Sequence, residues 1–186
     1  MLTCDRSAKR HYGDDQGRYW SVSQVCEVVA GKYDFYAAGA AERGTDVHQI
    51  FALAVGALMG WCEAPDVPTE YAGYHAGILR WIEQAKPQPM MLEKTLRHKT
   101  LPYAGTLDYV GMLGEEFGVL DLKTGQPSRR DVLQVQAYQK LVDKAARAWV
   151  LYVRANGTFT QVPVKSSARE WAAFRNGLSI LQWREG

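Results

Sequence analysis

Two aspartates and a lysine lie close together in the segment 103–125, YAGTLDYVGMLGEEFGVLDLKTG. The pattern predicts two strands joined by a short turn at Gly114, with Asp108 on the first strand and Asp121 and Lys123 on the second. Side chains alternate along a strand, so Asp121 and Lys123 leave the same face, about 6–7 Å apart. Carboxylates bind Mg²⁺ or Mn²⁺ as hard oxygen ligands. A lysine beside such an ion could position or deprotonate a water, or neutralise charge on a phosphate.

Asp121 sits among apolar residues, and an unpaired buried charge is costly. Two arrangements answer that problem. One is an ion pair of Asp121 with Lys123 or Arg129, and the other is a bound metal ion next to Lys123. The residues alone leave both open.

Gln134 and Tyr138 stand four residues apart on a helix predicted to begin near Arg129, after the capping box Ser128–Asp131. A glutamine on the inner line of an apolar face indicates either a polar role or a position at the edge of the core. Gln136 and Gln139 are predicted to face solvent.

A histidine and a glutamate are further candidates. Thr45 is a plausible N-cap of an apolar helix over about 45–59, which places His48 in the first turn as a satisfied core histidine or as a metal ligand. Glu93 lies on a strand predicted over 90–99, and on the residues alone it is an exposed charge.

The order of elements predicts an α/β fold with a mixed central β-sheet flanked by helices. The chain has 186 residues, which suits a single domain. We expect a loop or poorly ordered polar arm over 1–20, a helical part carrying His48 over 21–86, and the sheet core over 90–186. Leu120 and Leu122 should pack on helices.

The arrangement A-G-T-L-D, then D-L-K-T-G, then Q-V-Q-A-Y at 134–138 resembles the PD-(D/E)XK nuclease superfamily, in its RecB-like exonuclease branch. The string AAERGTDVH ending at His48 is similar to a box of small phage nucleases. The resemblance runs from about Ala41 to Tyr138. It implies a restriction-endonuclease-like core with an N-terminal helical extension, and one or two Mg²⁺ or Mn²⁺ ions.

The resemblance also implies the role of each site residue. Asp108, Asp121, Lys123, Gln134 and Tyr138 would be catalytic. The metal ligands would be His48, Asp108, Asp121, the backbone carbonyl of Leu122 and, as a further candidate, Glu93. Arg43, Thr124, Arg129 and Arg130 would contact DNA.

The implied activity is metal-dependent hydrolysis of DNA that leaves 5′-phosphates, most directly by an exonuclease in phage or bacterial DNA recombination, repair or replication. The alternatives are a catalytically silent nucleic-acid-binding or scaffolding protein on the same fold, and a hydrolase of RNA or nucleotides. Single- or double-stranded DNA is the expected partner, with a separate single-strand-binding or annealing protein or a helicase as a further candidate.

Charge, cysteine content and apolar runs bear on the expected cofactors and cellular location. Net charge is only +2, so the basic residues act through local clusters if they bind nucleic acid. Cys4, Cys26 and Cys62 are too few for a four-cysteine iron–sulfur cluster. The longest apolar run, 50–59, is about half a membrane span. No signal peptide is evident, so we expect the cytoplasm of a bacterium or a phage-infected host, without membrane association.

Overall fold

Eight strands and five α-helices make up the part of the chain that the computed structural model describes, residues 3–5, 11–15, 17–31, 39–142 and 146–185. The strands are β1 (Thr3–Asp5), β2 (His11–Asp14), β3 (Gly17–Ser21), β4 (Gln88–Arg97), β5 (Tyr103–Leu113), β6 (Glu116–Lys123), β7 (Arg147–Val153) and β8 (Phe159–Pro163). The helices are α1 (Val22–Ala30), α2 (Ala40–Leu58), α3 (Ala72–Ala85), α4 (Arg129–Val142) and α5 (Ala168–Glu185), with a 3₁₀ turn at Thr69–Tyr71. None of the described helices is long and apolar enough to cross a membrane.

The strands form one mixed sheet, as the sequence predicted. β4, β5 and β6 are antiparallel neighbours, β6 and β7 run parallel, and β8 returns antiparallel to β7. Helix α4 connects β6 to β7, because two parallel strands need a crossover. The predicted hairpin turn is present, and Gly114 takes the positive φ of 61° that a tight turn favours in glycine.

Alternating side chains place the two faces of the sheet against different helices. Val119 packs in a cluster with residues of α1, α4 and α5. Leu120 and Leu122 pack on the other face in a cluster with residues of α2 and α3. The prediction that these two leucines pack on helices is confirmed.

The expectation of a loop or poorly ordered arm over residues 1–20 is wrong for its described residues, which form β1, β2 and β3. β2 and β3 make a hairpin, and β3 pairs in parallel with the start of β5, Trp20 beside Tyr103. The partner strand lies more than 80 residues away, so a reading of the local polar composition does not reveal it.

Strand β5 has an interruption along one edge. Ala104 pairs with Arg97 of β4 on one side, so Ser21 of β3 pairs with Ala104 on the other. β6 uses that same side, but only from Tyr109 onward. On this edge of β5, pairing with β3 stops at Ala104 and pairing with β6 begins at Tyr109. Residues 105–108, which include Asp108, lie in the gap between these two pairings.

Candidate active site

A cleft of about 730 Å³ opens beside this interruption, between α2, the sheet and α4. Most residues that the sequence singled out line it: Arg43, His48, Glu93, Asp108, Asp121, Lys123, Thr124, Arg130, Gln134 and Tyr138. Arg129 is not among the lining residues. The structure thus brings together side chains that are up to 95 positions apart in the sequence.

Asp108 is buried and held by two donors. Its Oδ2 accepts a hydrogen bond from the backbone N–H of Leu122 at 2.7 Å and lies 3.3 Å from Nε2 of His48. Nδ1 of His48 lies 2.6 Å from the carbonyl oxygen of Gly44. A carbonyl can only accept, so Nδ1 carries the proton and Nε2 is directed at the carboxylate.

His48 reaches this position from the middle of α2 rather than from its first turn. The helix begins at Ala40 after Gly39, and Thr45 lies inside it with its hydroxyl bonded to the carbonyl of Ala41. The prediction of Thr45 as N-cap is therefore wrong. Its hydroxyl forms the back-bond to the preceding turn that a helical threonine often makes.

A second chain of contacts runs from Asp121 into α4. Nζ of Lys123 lies 2.7 Å from Oδ2 of Asp121 and donates to Oε1 of Gln134 at 3.3 Å. Nε2 of Gln134 donates to Oδ1 of Asp121 at 3.2 Å and to the hydroxyl of Tyr138 at 3.0 Å. The ion pair between Asp121 and Lys123 is thus present, and Gln134 and Tyr138 share one face of α4 as predicted.

The two carboxylates differ in their electrostatic surroundings. Burial raises the pKa of Asp108, but the charge and hydrogen bond of His48 outweigh this and leave it below its usual value. Burial lowers the pKa of His48, whereas Asp108 raises it, with a net rise to about 9. Burial raises the pKa of Asp121 to about 6, because Asp108 adds to the effect and Lys123 offsets only part of it. The site therefore holds two carboxylates that repel each other.

Glu93 faces the same cleft from β4. It lies between the pairs Leu92–Tyr109 and Lys94–Leu107, in register with Asp108. Its φ of +47° is uncommon for a residue other than glycine and gives β4 a local distortion at the level of the site.

The candidate DNA-contacting residues occupy different surroundings. Arg43 and Thr124 are half-buried in the cleft wall, and Nε of Arg43 is buried without a hydrogen-bond partner. Arg130 is buried, and its guanidinium contacts the carbonyls of Ser23 and Gly31 and the carboxylate of Glu27, so it ties α1 to α4. Arg129 is exposed and lies 3.9 Å from Glu170.

Two glutamines of α4 differ from the prediction. Gln136 and Gln139 were expected to face solvent, but both are buried. Gln136 bonds the backbone of Lys165 and Ser167, and Gln139 donates to the carbonyl of Ala146. They satisfy backbone groups of the chain that follows α4, which is why buried amides are tolerated here.

The site's donor atoms suit a hydrated divalent ion. Across the described residues no three His, Cys, Asp or Glu side chains form a ready group of metal ligands. Mg²⁺, however, usually takes one or two protein carboxylates and keeps several waters. Asp108 and Asp121, repelling each other in a buried setting beside an open cleft, match that requirement.

Some cleft residues received no role from the sequence. Thr106 lies two residues before Asp108 on β5. That spacing puts both side chains on one face of the strand and is the signal that could have included Thr106. Ser23, Gln49 and Gly125 also line the cleft. They come from separate elements, so no spacing in the sequence marks them.

Comparisons with known proteins gave no family model and no curated protein that matches this chain. Among solved structures, the chain is similar to an alkaline exonuclease, LHK-Exo from Laribacter hongkongensis, with 13% identity and a TM-score of 0.48 over 89% of this chain and 87% of that one. LHK-Exo in complex with dAMP gives 14% identity and a TM-score of 0.48, over 88% and 86% of the two chains. The chain is also similar to the protein SSO0001, with 12% identity and a TM-score of 0.39 over 87% of this chain and 75% of that one. At these values the similarity transfers no residue roles.

Proposed function

We propose that this chain is a metal-dependent deoxyribonuclease, a single nuclease domain that hydrolyses DNA phosphodiester bonds and leaves 5′-phosphates. The observation that carries the proposal is the convergence of Asp108, Asp121 and Lys123 at the base of one cleft, with His48 and Gln134 bonded to them. Two buried carboxylates with an adjacent lysine match the requirements of phosphoryl chemistry better than those of a structural ion pair.

Asp108 and Asp121 would hold Mg²⁺ or Mn²⁺, with the Leu122 carbonyl, His48 and Glu93 as further candidate ligands. A bound ion would supply an acidified water and neutralise charge on the scissile phosphate. Gly44 fixes the His48 ring, so that Nε2 faces the ion site once it has lost its proton.

Lys123 and Gln134 would act on the substrate side. Nζ of Lys123 forms an ion pair with Asp121 and donates a hydrogen bond to Gln134. An ammonium has three N–H donors, so Lys123 would also donate to a phosphate oxygen or hold the attacking water. Gln134 keeps Lys123 and Asp121 in fixed relation, because it bonds both, and Tyr138 holds Gln134 in turn.

The same proposal extends to the biological setting. The expected setting is exonuclease action on DNA ends in phage or bacterial recombination, repair or replication. Arg43 and Thr124 in the cleft wall would contact the DNA backbone. A separate single-strand-binding or annealing protein or a helicase would supply the substrate strand.

The test is a cleavage assay on linear and circular DNA, single- and double-stranded, with Mn²⁺ or Mg²⁺. We expect the wild type to degrade linear DNA, and Asp121→Asn to lower the rate by at least about a hundredfold, as expected when a group that stabilises the transition state is lost. Asp66→Asn, in an exposed loop, is the matched control and should cleave like the wild type.

Four other outcomes would redirect the proposal. Cutting of circles as well would make the protein an endonuclease. Full activity in Asp121→Asn would mean that the site is wrongly assigned. Absence of metal-dependent cleavage on every DNA would favour the catalytically silent binding protein. Cleavage of RNA instead would favour a hydrolase of RNA or nucleotides.

A further inference from the structure

Three hydroxyl groups lie in series, and the middle one belongs to Thr106, which lines the cleft. The phenol oxygen of Tyr12 is 3.2 Å from Oγ1 of Thr106, which is 2.9 Å from Oγ1 of Thr95. Thr106 lines the cleft two residues before Asp108 and is only 6% exposed. Tyr12 belongs to the hairpin of β2 and β3, so an N-terminal residue reaches the strand that carries Asp108.

Either oxygen of each pair can be the donor, so the series permits an arrangement in which Tyr12 and Thr95 both donate to Thr106. A threonine hydroxyl has one donor and two acceptor sites. When Tyr12 and Thr95 both donate to it, the two acceptor sites are filled and the Thr106 O–H is directed at a third partner. Thr106 lines the cleft, so a molecule bound there is a partner within reach of this O–H. A phosphate oxygen only accepts hydrogen bonds and is suited to this position.

We propose that Thr106 is a substrate-contacting residue, which donates a hydrogen bond to a DNA phosphate in the cleft. Tyr12 is a positioning residue, because it acts through Thr106 by fixing the direction of that hydroxyl. This inference rests on the proposed nuclease function. It makes the N-terminal hairpin part of the active site rather than an accessory arm.

The hairpin itself offers a matched control. Tyr19 stands opposite Tyr12 in the register of β2 and β3, and both are buried. The hydroxyl of Tyr19 donates to Oδ1 of Asp14, within the hairpin, at 3.1 Å. Tyr12→Phe and Tyr19→Phe therefore each remove one phenol hydrogen bond from the same hairpin, but only Tyr12→Phe releases Thr106.

The experiment measures kcat/KM on the linear DNA that the wild type degrades, together with melting temperature. We expect similar small losses of melting temperature in both tyrosine variants. Tyr12→Phe and Thr106→Val should lower kcat/KM by about tenfold, the effect of one net hydrogen bond near the upper end of its range. Tyr19→Phe should retain wild-type kcat/KM.

Two further variants separate a direct role from a structural one. Thr106→Ser keeps the hydroxyl and should retain most of the activity that Thr106→Val loses. The double variant Tyr12→Phe/Thr106→Val should be no slower than Thr106→Val, because the two residues act on one hydrogen bond. If Tyr12→Phe fails to fold, the Val and Ser variants at position 106 still decide the matter.

The inference is overturned if Tyr12→Phe and Tyr19→Phe have equal kcat/KM, if the double variant shows additive losses, or if Thr106→Ser is as slow as Thr106→Val. Those results leave the nuclease function standing, since the wild type cleaves in each. A wild type without metal-dependent cleavage overturns the proposed function and this inference together.

Discussion

Lys123 contacts both a buried carboxylate and a polar side chain of the cleft. Its ammonium lies between Asp121 and Gln134, so removing it affects both the buried carboxylate and the substrate side of the cleft. The pKa of Lys123 illustrates the balance: burial lowers it, and the charges of Asp121 and Asp108 raise it above its usual value. The lysine is therefore a cation in the structure.

We expect Lys123→Met to bind DNA nearly as well as the wild type and to cleave it at least about a hundredfold more slowly, since a donor to the transition state is lost. Lys165→Met, an exposed lysine, removes the same formal charge as a control. Single-turnover cleavage gives the rate, filter binding gives the affinity, and circular dichroism checks the fold. Equal cleavage by the two variants would contradict the role of Lys123.

At the residue scale the sequence predicted that these side chains lie together, because they are close in the chain. Asp121 and Lys123 are two residues apart on one strand, and Gln134 and Tyr138 are one helical turn apart. The contact between Thr106 and Tyr12 has no such signal. It joins residues 94 positions apart, and only pairing of β3 with β5 brings them together.

At the scale of elements, local capping signals were reliable where both halves of the signal are present. Ser128 and Asp131 form the reciprocal hydrogen bonds of the capping box predicted at the start of α4. The structure shows the same pair of bonds between Ser21 and Gln24 at the start of α1. Thr45 has no partner of that kind, and the helix starts five residues earlier. Buried Gln136 could not be predicted, because its partners belong to the loop before α5.

Helix α3 gives a stability test at this scale, through the close approach of Gly73 to the loop between β7 and β8. A Cβ at Gly73 would lie 1.7 Å from the carbonyl oxygen of Ala155, whereas one at Gly44 in α2 meets nothing within 4 Å. We expect Gly73→Ala to lower the free energy of unfolding by about 2 kcal/mol or more through overpacking.

Gly44→Ala should change the free energy of unfolding in the other direction, by up to about 1 kcal/mol, because alanine favours the helix. Urea denaturation of both variants measures the difference. Equal effects at the two positions would mean that α3 does not pack against this loop as described.

At the scale of the whole molecule, two carboxylates face one open cleft, and a bound cation would relieve their repulsion. We expect Mn²⁺ at about a hundred times its dissociation constant to add about 2.7 kcal/mol of stability. For a chain of this size that is a rise of about 5–10 °C in melting temperature. Differential scanning fluorimetry with and without a chelator measures it.

In the same measurement Asp121→Asn should lose most of the metal-dependent rise, and the exposed Asp66→Asn should keep it. If Mn²⁺ and Mg²⁺ leave the melting temperature of the wild type unchanged, the result would contradict the metal site and favour the silent binding protein. Because this readout does not depend on cleavage, it separates metal binding from catalysis.

The fold class could be predicted because each core element carries its own pattern: the β5–β6 hairpin, the crossover helix α4 and the apolar β7. The N-terminal hairpin could not, since its strands are short and polar and are stabilised by contacts with the distant β5. The gap in pairing along the edge of β5 could not be predicted either, because it depends on where the pairing with β3 ends and the pairing with β6 begins.

The hydrogen bond from the Leu122 amide to Asp108 has a spectroscopic consequence. An amide proton donated to a carboxylate at 2.7 Å resonates differently from one donated to a neutral acid or released to other partners. In a ¹⁵N-labelled sample, one backbone cross-peak in the middle of the sheet would follow the charge of Asp108. The amide signal of Leu122 would therefore report on the charge of Asp108 and, through it, on what binds in the cleft.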